Sequence, residues 1–123
     1  MEVFIKLYPS SLEAERFNDV RLIIRVRNDK RGARWFEADI EVPHKLSLTP
    51  DHSLRKGKIR IGILKKNEVI EKYIRIFGSK YTKPDMYKVK ITLFAYNKNG
   101  IIDERIDKEF EIECKPLVEE IIK

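Results

Sequence analysis

The chain is 123 residues long, 42% hydrophobic and 37% charged, with a net charge of +6. It has enough apolar residues for the core of one domain, which excludes intrinsic disorder, and its lone cysteine, Cys114, excludes an intramolecular disulfide. No stretch nears the ~20 apolar residues of a membrane helix.

Residues 1–9 lack the apolar run of a secretion signal, so the expected location is cytoplasmic; a secreted protein stripped of its leader reads the same. Glutamine is absent and the polar residues are mainly Lys, Glu, Arg and Asp, a balance that points to a thermophilic, archaeal source. The positive charge suits acidic partners if it is concentrated, and solubility if it is spread.

Alternation of apolar and polar residues at period two runs along nearly the whole chain and predicts strands. Val3, Ile5 and Leu7 mark a first strand that stops at Pro9, and residues 10–18 form a link with a short turn at 11–15. Val20, Leu22, Ile24 and Val26 share one face of the next strand, which ends in a loop at 28–32. Phe36, Ala38, Ile40 and Val42 alternate with Glu37, Asp39 and Glu41 up to Pro43. Residues 45–49 read as a short edge or crossing segment. Ile59, Ile61 and Ile63 alternate in the strand after it, and Lys66 and Asn67 turn the chain into a strand over 69–77.

A loop at 78–85 leads to the clearest alternation, Tyr87, Val89, Ile91, Leu93 and Ala95. Residues 97–100, Asn-Lys-Asn-Gly, predict a hairpin turn, because Asn and Gly tolerate positive φ. Ile106, Phe110, Ile112 and Cys114 share a face of the last strand, which stops at Pro116. Seven or eight such strands require two antiparallel sheets packed face to face, an all-β sandwich over residues 1–116; a closed barrel is the alternative. The tail 117–123 is expected to form a turn or two of helix that folds back on the domain or docks elsewhere.

Three stretches together resemble the immunoglobulin-like domains of the CARDB and APHP type. They are residues 7–10 running through 20–28, residues 38–43, and Asp85, Met86, Tyr87, Lys88 and Val89. The last also resembles a tyrosine corner, with Tyr87 two residues before a core position that holds Val89 where disulfide-bonded domains have cysteine. The resemblance implies an immunoglobulin-like two-sheet antiparallel sandwich and a role in adhesion or protein interaction.

Catalytic chemistry is hard to assemble. No HExxH, CxxC, GxSxG or P-loop spacing occurs, and His44, Asp51 and His52 read as ordinary loop residues before they read as a metal site. Glu37, Asp39 and Glu41 could supply a carboxylate pair for glycoside chemistry, but a solvated strand face is the simpler reading. The expectation is therefore no enzyme, no cofactor, no metal and no small-molecule substrate.

The resemblance implies that the strands at 3–7, 20–26, 58–63 and 69–77 form one sheet and the remaining three the other. The first sheet then exposes Arg21, Arg25, Arg27, Lys58, Arg60, Tyr73 and Arg75, a basic face suited to a polyanion or nucleic acid. The second exposes alternating acids and lysines. Trp35, Phe94 and Tyr96 point outward at one end of it, rimmed by Arg31, Arg34 and Lys98, as a partner-binding or self-associating patch. A register slip would instead bury Trp35, and the tail or the 45–49 segment could cover it. A protein-interaction or assembly module is the first reading, and polyanion binding the alternative.

Overall fold

Period-two alternation becomes eight strands in the computed structural model, which describes residues 1–117. They are β1 (Glu2–Tyr8), β2 (Ser11–Glu13), β3 (Asn18–Arg27), β4 (Arg34–Glu41), β5 (Lys56–Leu64), β6 (Val69–Gly78), β7 (Asp85–Tyr96) and β8 (Ile102–Lys115). There is no helix among the described residues, and therefore none long and apolar enough to cross a membrane. The expected helical tail lies, Leu117 aside, outside the described residues.

Two sheets pack against each other. One has the order β1-β3-β6 and the other β2-β8-β7-β4-β5. Leu22, Ile24, Val26 and Ile76 from the first meet Phe36, Ile40, Ile91, Leu93 and Ile112 from the second in one buried cluster. The apolar half of each alternating strand thus supplies the core, at about 1.5–3 kcal/mol for each large aliphatic side chain fully buried. The expected turn at 11–15 is in part strand: after Pro9 the chain crosses to the second sheet, where β2 runs parallel to β8. The 45–49 segment contributes a single bridge, Ser47 to Phe77.

Two expectations are corrected. The strand at 58–63 does not join the first sheet; β5 pairs antiparallel with β4 and carries Lys58 and Arg60 to the second sheet. The reason lies in its neighbours. Beside β4, Lys56, Lys58 and Arg60 stand opposite Glu41, Asp39 and Glu37, whereas beside β6 they would face Glu71, Tyr73 and Arg75, of which one is acidic. Residues 65–68 then cross between the sheets, tied to the buried Asn28 by backbone bonds at Asn67 and Glu68.

The second correction is a bulge. The β4–β5 register steps from Phe36 opposite Gly62 to Glu37 opposite Arg60, leaving Ile61 as the extra residue. Gly62 has φ +139°, a value that L side chains rarely adopt. The extra residue inverts the alternation, so Ile61 and Leu64 are buried while Ile63, expected inside, turns outward and is 70% exposed.

Candidate interaction surfaces

The inversion at Gly62 creates the most apolar outward feature of the five-stranded sheet. Pairing places Ile63 opposite Trp35, Trp35 opposite Tyr96, and Tyr96 opposite Ile102. One row across four strands is therefore apolar. Trp35 is 46% exposed, its ring centroid 5.3 Å from that of Tyr96, and Phe94 follows at 6.3 Å from Tyr96. A second register shift, between Ala95 and Tyr96, brings Ile102 into the row. An open hollow of about 290 Å³ lies beside it, lined by Trp35, Phe36, Glu37, Arg60, Gly62 and Ile63. The bulge sits in β5 and not in β4, so Trp35 keeps its outward phase. The 45–49 segment does not cover it, since it lies at the opposite end of the sandwich, and the tail 118–123 lies outside the described residues.

Below this row the same face carries a ladder of charge. The column of β5 is basic (Lys56, Lys58, Arg60) and that of β4 acidic (Glu37, Asp39, Glu41). The column of β7 carries Lys88 and Lys90, and that of β8 Asp107, Glu109 and Glu111. Lys58 lies 3.4 Å from Glu37 and 3.7 Å from Asp39, and these two acids hold its ammonium pKa above the usual lysine value. Lys88 lies 3.7 Å from Glu109. The Tyr96 hydroxyl donates to Glu37 at 3.3 Å, and desolvation together with that carboxylate pushes its pKa up. The three acids of β4 are thus neighbours of lysines and a phenol.

Of the rim residues expected around the patch, Arg31 and Lys98 are exposed in the loops at its end. Arg34 is not on the rim. It faces inward, its side chain 3% exposed, with its guanidinium 5.3 Å above the Phe36 ring. Its Nε and Nη2 donate to Asn28 Oδ1 at 3.0 and 2.9 Å, and its Nη1 donates to Asp103 and Glu104 at 3.1 and 3.0 Å. The Met1 ammonium joins the same group, 2.6 Å from Glu104 and 2.9 Å from Asp29. Burial alone would raise the Glu104 carboxyl, but the ammonium and Arg34 outweigh it and hold it below its ordinary value. Arg34 therefore closes the end of the core behind the apolar row. Asn28 lies six positions away, but its acidic partners Asp103 and Glu104 lie about 70 positions away along the chain, beyond the reach of any local pattern.

The outward face of the three-stranded sheet is different. Its rows are Phe4–Arg25–Glu71, Lys6–Ile23–Tyr73 and Tyr8–Arg21–Arg75. Arg21, Arg25, Arg27, Tyr73 and Arg75 are brought together as expected, without Lys58 and Arg60. The edge strand β1 adds Phe4, Lys6 and Tyr8 to this face. Phe4, Tyr8 and Tyr73 are 63%, 66% and 65% exposed. Arg27 is tied to Glu2 at 3.2 Å and Arg75 to Asp19 at 2.8 Å. Lys6, Arg21 and Arg25 make no ion pair among the described residues.

In the loop with the histidines, the Asp51 carboxylate accepts from the hydroxyls of Thr49 and Ser53 at 2.6 and 2.7 Å. Among the described residues no group of three or more His, Cys, Asp or Glu converges on a metal-sized site. Cys114 is buried in the core, and that burial pushes its thiol pKa up, away from the reactive thiolate. Compared with known proteins, the chain matches no family model and no curated protein.

Proposed function

We propose that the chain is a non-catalytic interaction module with an immunoglobulin-like fold, and that the outward face of its five-stranded sheet binds protein. The fold reading is supported by the strand order, with a first strand that leaves one sheet to run parallel to the last strand of the other. It is supported too by the Tyr87 hydroxyl, which donates at 2.6 Å to the carbonyl of Lys83, four residues upstream, as in a tyrosine corner. Kinship with the CARDB and APHP type is part of the same proposal.

One observation carries the functional reading: the apolar row Ile63–Trp35–Tyr96–Ile102. Each large side chain left in water forgoes about 1.5–3 kcal/mol of burial. Contiguous outward apolar residues with aromatic anchors and an arginine rim have the composition of a binding surface.

The partner that fits is a second copy. Consider two faces packed about a two-fold axis parallel to the strands, within the ~30° that twisted sheets impose. Each row then lies over itself with its columns reversed. Trp35 meets Tyr96 and Ile63 meets Ile102, while Lys58 meets Asp107, Lys56 meets Glu109 and Glu41 meets Lys90; the one like-charge meeting is Arg60 over Arg105. An axis across the strands would set each column on itself, like charge on like, and the apolar row on a charged one. The charge columns thus favour one geometry over the other. The face spans roughly 20 Å by 20 Å, about 800 Å² in total for two copies and below the standard size of stable interfaces, so the dimer is expected to be weak and transient, on the order of micromolar or weaker.

Sedimentation equilibrium tests this. Wild-type protein is expected to approach twice its monomer mass with rising concentration, and Trp35→Ala to weaken that association by about 30-fold. A wild-type protein that stays monomeric up to about 1 mM would overturn the proposal.

A further inference from the structure

We infer that the outward face of the three-stranded sheet is a platform for single-stranded nucleic acid, with bases stacking on Phe4, Tyr8 and Tyr73 and phosphates meeting Lys6, Arg21 and Arg25. The inference is independent of the interface on the other sheet. It starts from unspent charge. The face has five cations, and two of its three acids are already tied, Glu2 to Arg27 and Asp19 to Arg75. Glu71 lies opposite Arg25 in register without forming an ion pair. Three cations are therefore left facing solvent between exposed rings.

The spacing of the rings points to the ligand. Phe4 and Tyr8 lie four residues apart on one edge strand, and Tyr73 lies on the other edge strand, so the rings are roughly 12–14 Å from one another. Rings this far apart do not merge into the single apolar anchor that a protein partner favours, but each can take a separate base. The Arg21 guanidinium lies over the Tyr73 ring, 5.5 Å from its centroid, so a base stacking on that face would displace it from the ring and free it for the phosphate. A broad sheet face with exposed rings suits unstacked bases. It enters neither groove of a duplex.

Anisotropy of a labelled oligothymidylate of about 15 nucleotides tests the inference, with a duplex of equal length and polyglutamate as competitors. Three phosphate contacts give a slope near −2 in log K against log salt, or roughly 20-fold weaker binding at 200 mM than at 50 mM. Tyr8→Ala and Tyr73→Ala should each weaken binding about fivefold or more. Arg25→Gln should reduce the salt slope by about 0.7, and Trp35→Ala should leave binding unchanged. These side chains are exposed, and circular dichroism checks that each variant is folded. No binding at low salt would overturn the inference. So would ring variants without effect, combined with a duplex or polyglutamate binding as well as the single strand: the first combination means adhesion by charge alone, the second a surface for acidic protein.

Discussion

On the five-stranded sheet the cations of β5 stand across from acids of β4, and the lysines of β7 stand across from acids of β8. On the three-stranded sheet the acids are fewer, and Lys6, Arg21 and Arg25 have no acid in ion-pair contact, although Glu71 stands opposite Arg25 in register. Both faces come from the same alternation, and both mix Arg and Lys with aromatic residues. What differs is the strand next door. Exposed ion pairs contribute only about 0–1 kcal/mol each, so the ladder adds little to stability. Its consequence is a face on which every cation of β5 and β7 has acids beside it, Lys56, Lys58 and Lys88 in ion-pair contact and Arg60 and Lys90 in register only, and on which the feature without a counterpart is apolar. The three-stranded face leaves charge uncompensated instead.

The largest expected effect separates support from surface. Arg34→Met should destabilise the fold by about 2–3 kcal/mol in urea denaturation, because it takes two donors from the buried Asn28 amide oxygen and the shared cation from the partly exposed Asp103 and Glu104. If Arg34 were instead an interface contact, the substitution would weaken association and leave unfolding unchanged.

Gly62→Ala addresses the origin of the apolar row. An added Cβ would lie 3.3 Å from Ile70 Cδ1 at a backbone angle that strains any L residue. The expected cost is about 1–2 kcal/mol, with weaker dimerisation wherever the bulge relaxes and Ile63 turns back toward the core. Unchanged stability together with unchanged association would separate the row from the bulge.

The smallest effect is a dependence on pH. The Glu104 carboxyl is held below its ordinary value of 4.5 in the folded protein, so the stability it contributes is complete above that pH and lost as pH falls through the folded value. Glu104→Gln should flatten this acid limb in chemical denaturation. At neutral pH it should cost less than Arg34→Met, since Asp29 and Asp103 remain. An acid limb of unchanged steepness would assign it to other carboxylates.

Most strands could be read from alternation alone, as Tyr87, Val89, Ile91 and Leu93 illustrate, and so could the outward direction of Trp35, Phe94 and Tyr96. Strict alternation failed at Ile63. The signal was available in Gly62, because a glycine inside a strand commonly marks a bulge. Sheet membership was legible only in part. The strand with Lys58 and Arg60 alternates equally well in either sheet, and its place depends on charge complementarity with an acidic strand about 20 positions upstream. The Asn28–Arg34–Glu104 group was not legible, because it joins the 28–34 loop to the start of β8, which only the packed sandwich brings together. Phe4, Lys6 and Tyr8 follow from the alternation of β1; what was missing was the pairing that sets them beside Arg21 and Arg25.

The central claim, a second copy seated on the charge ladder with reversed columns, is tested most directly by a charge swap read in sedimentation equilibrium. Lys58→Glu alone should weaken the dimer at least several-fold, as it sets like charge over the second copy's Asp107. Combining it with Asp107→Lys should restore association toward the wild-type level. Failure of the double variant to recover, or a wild-type protein that stays monomeric up to about 1 mM, would contradict the account.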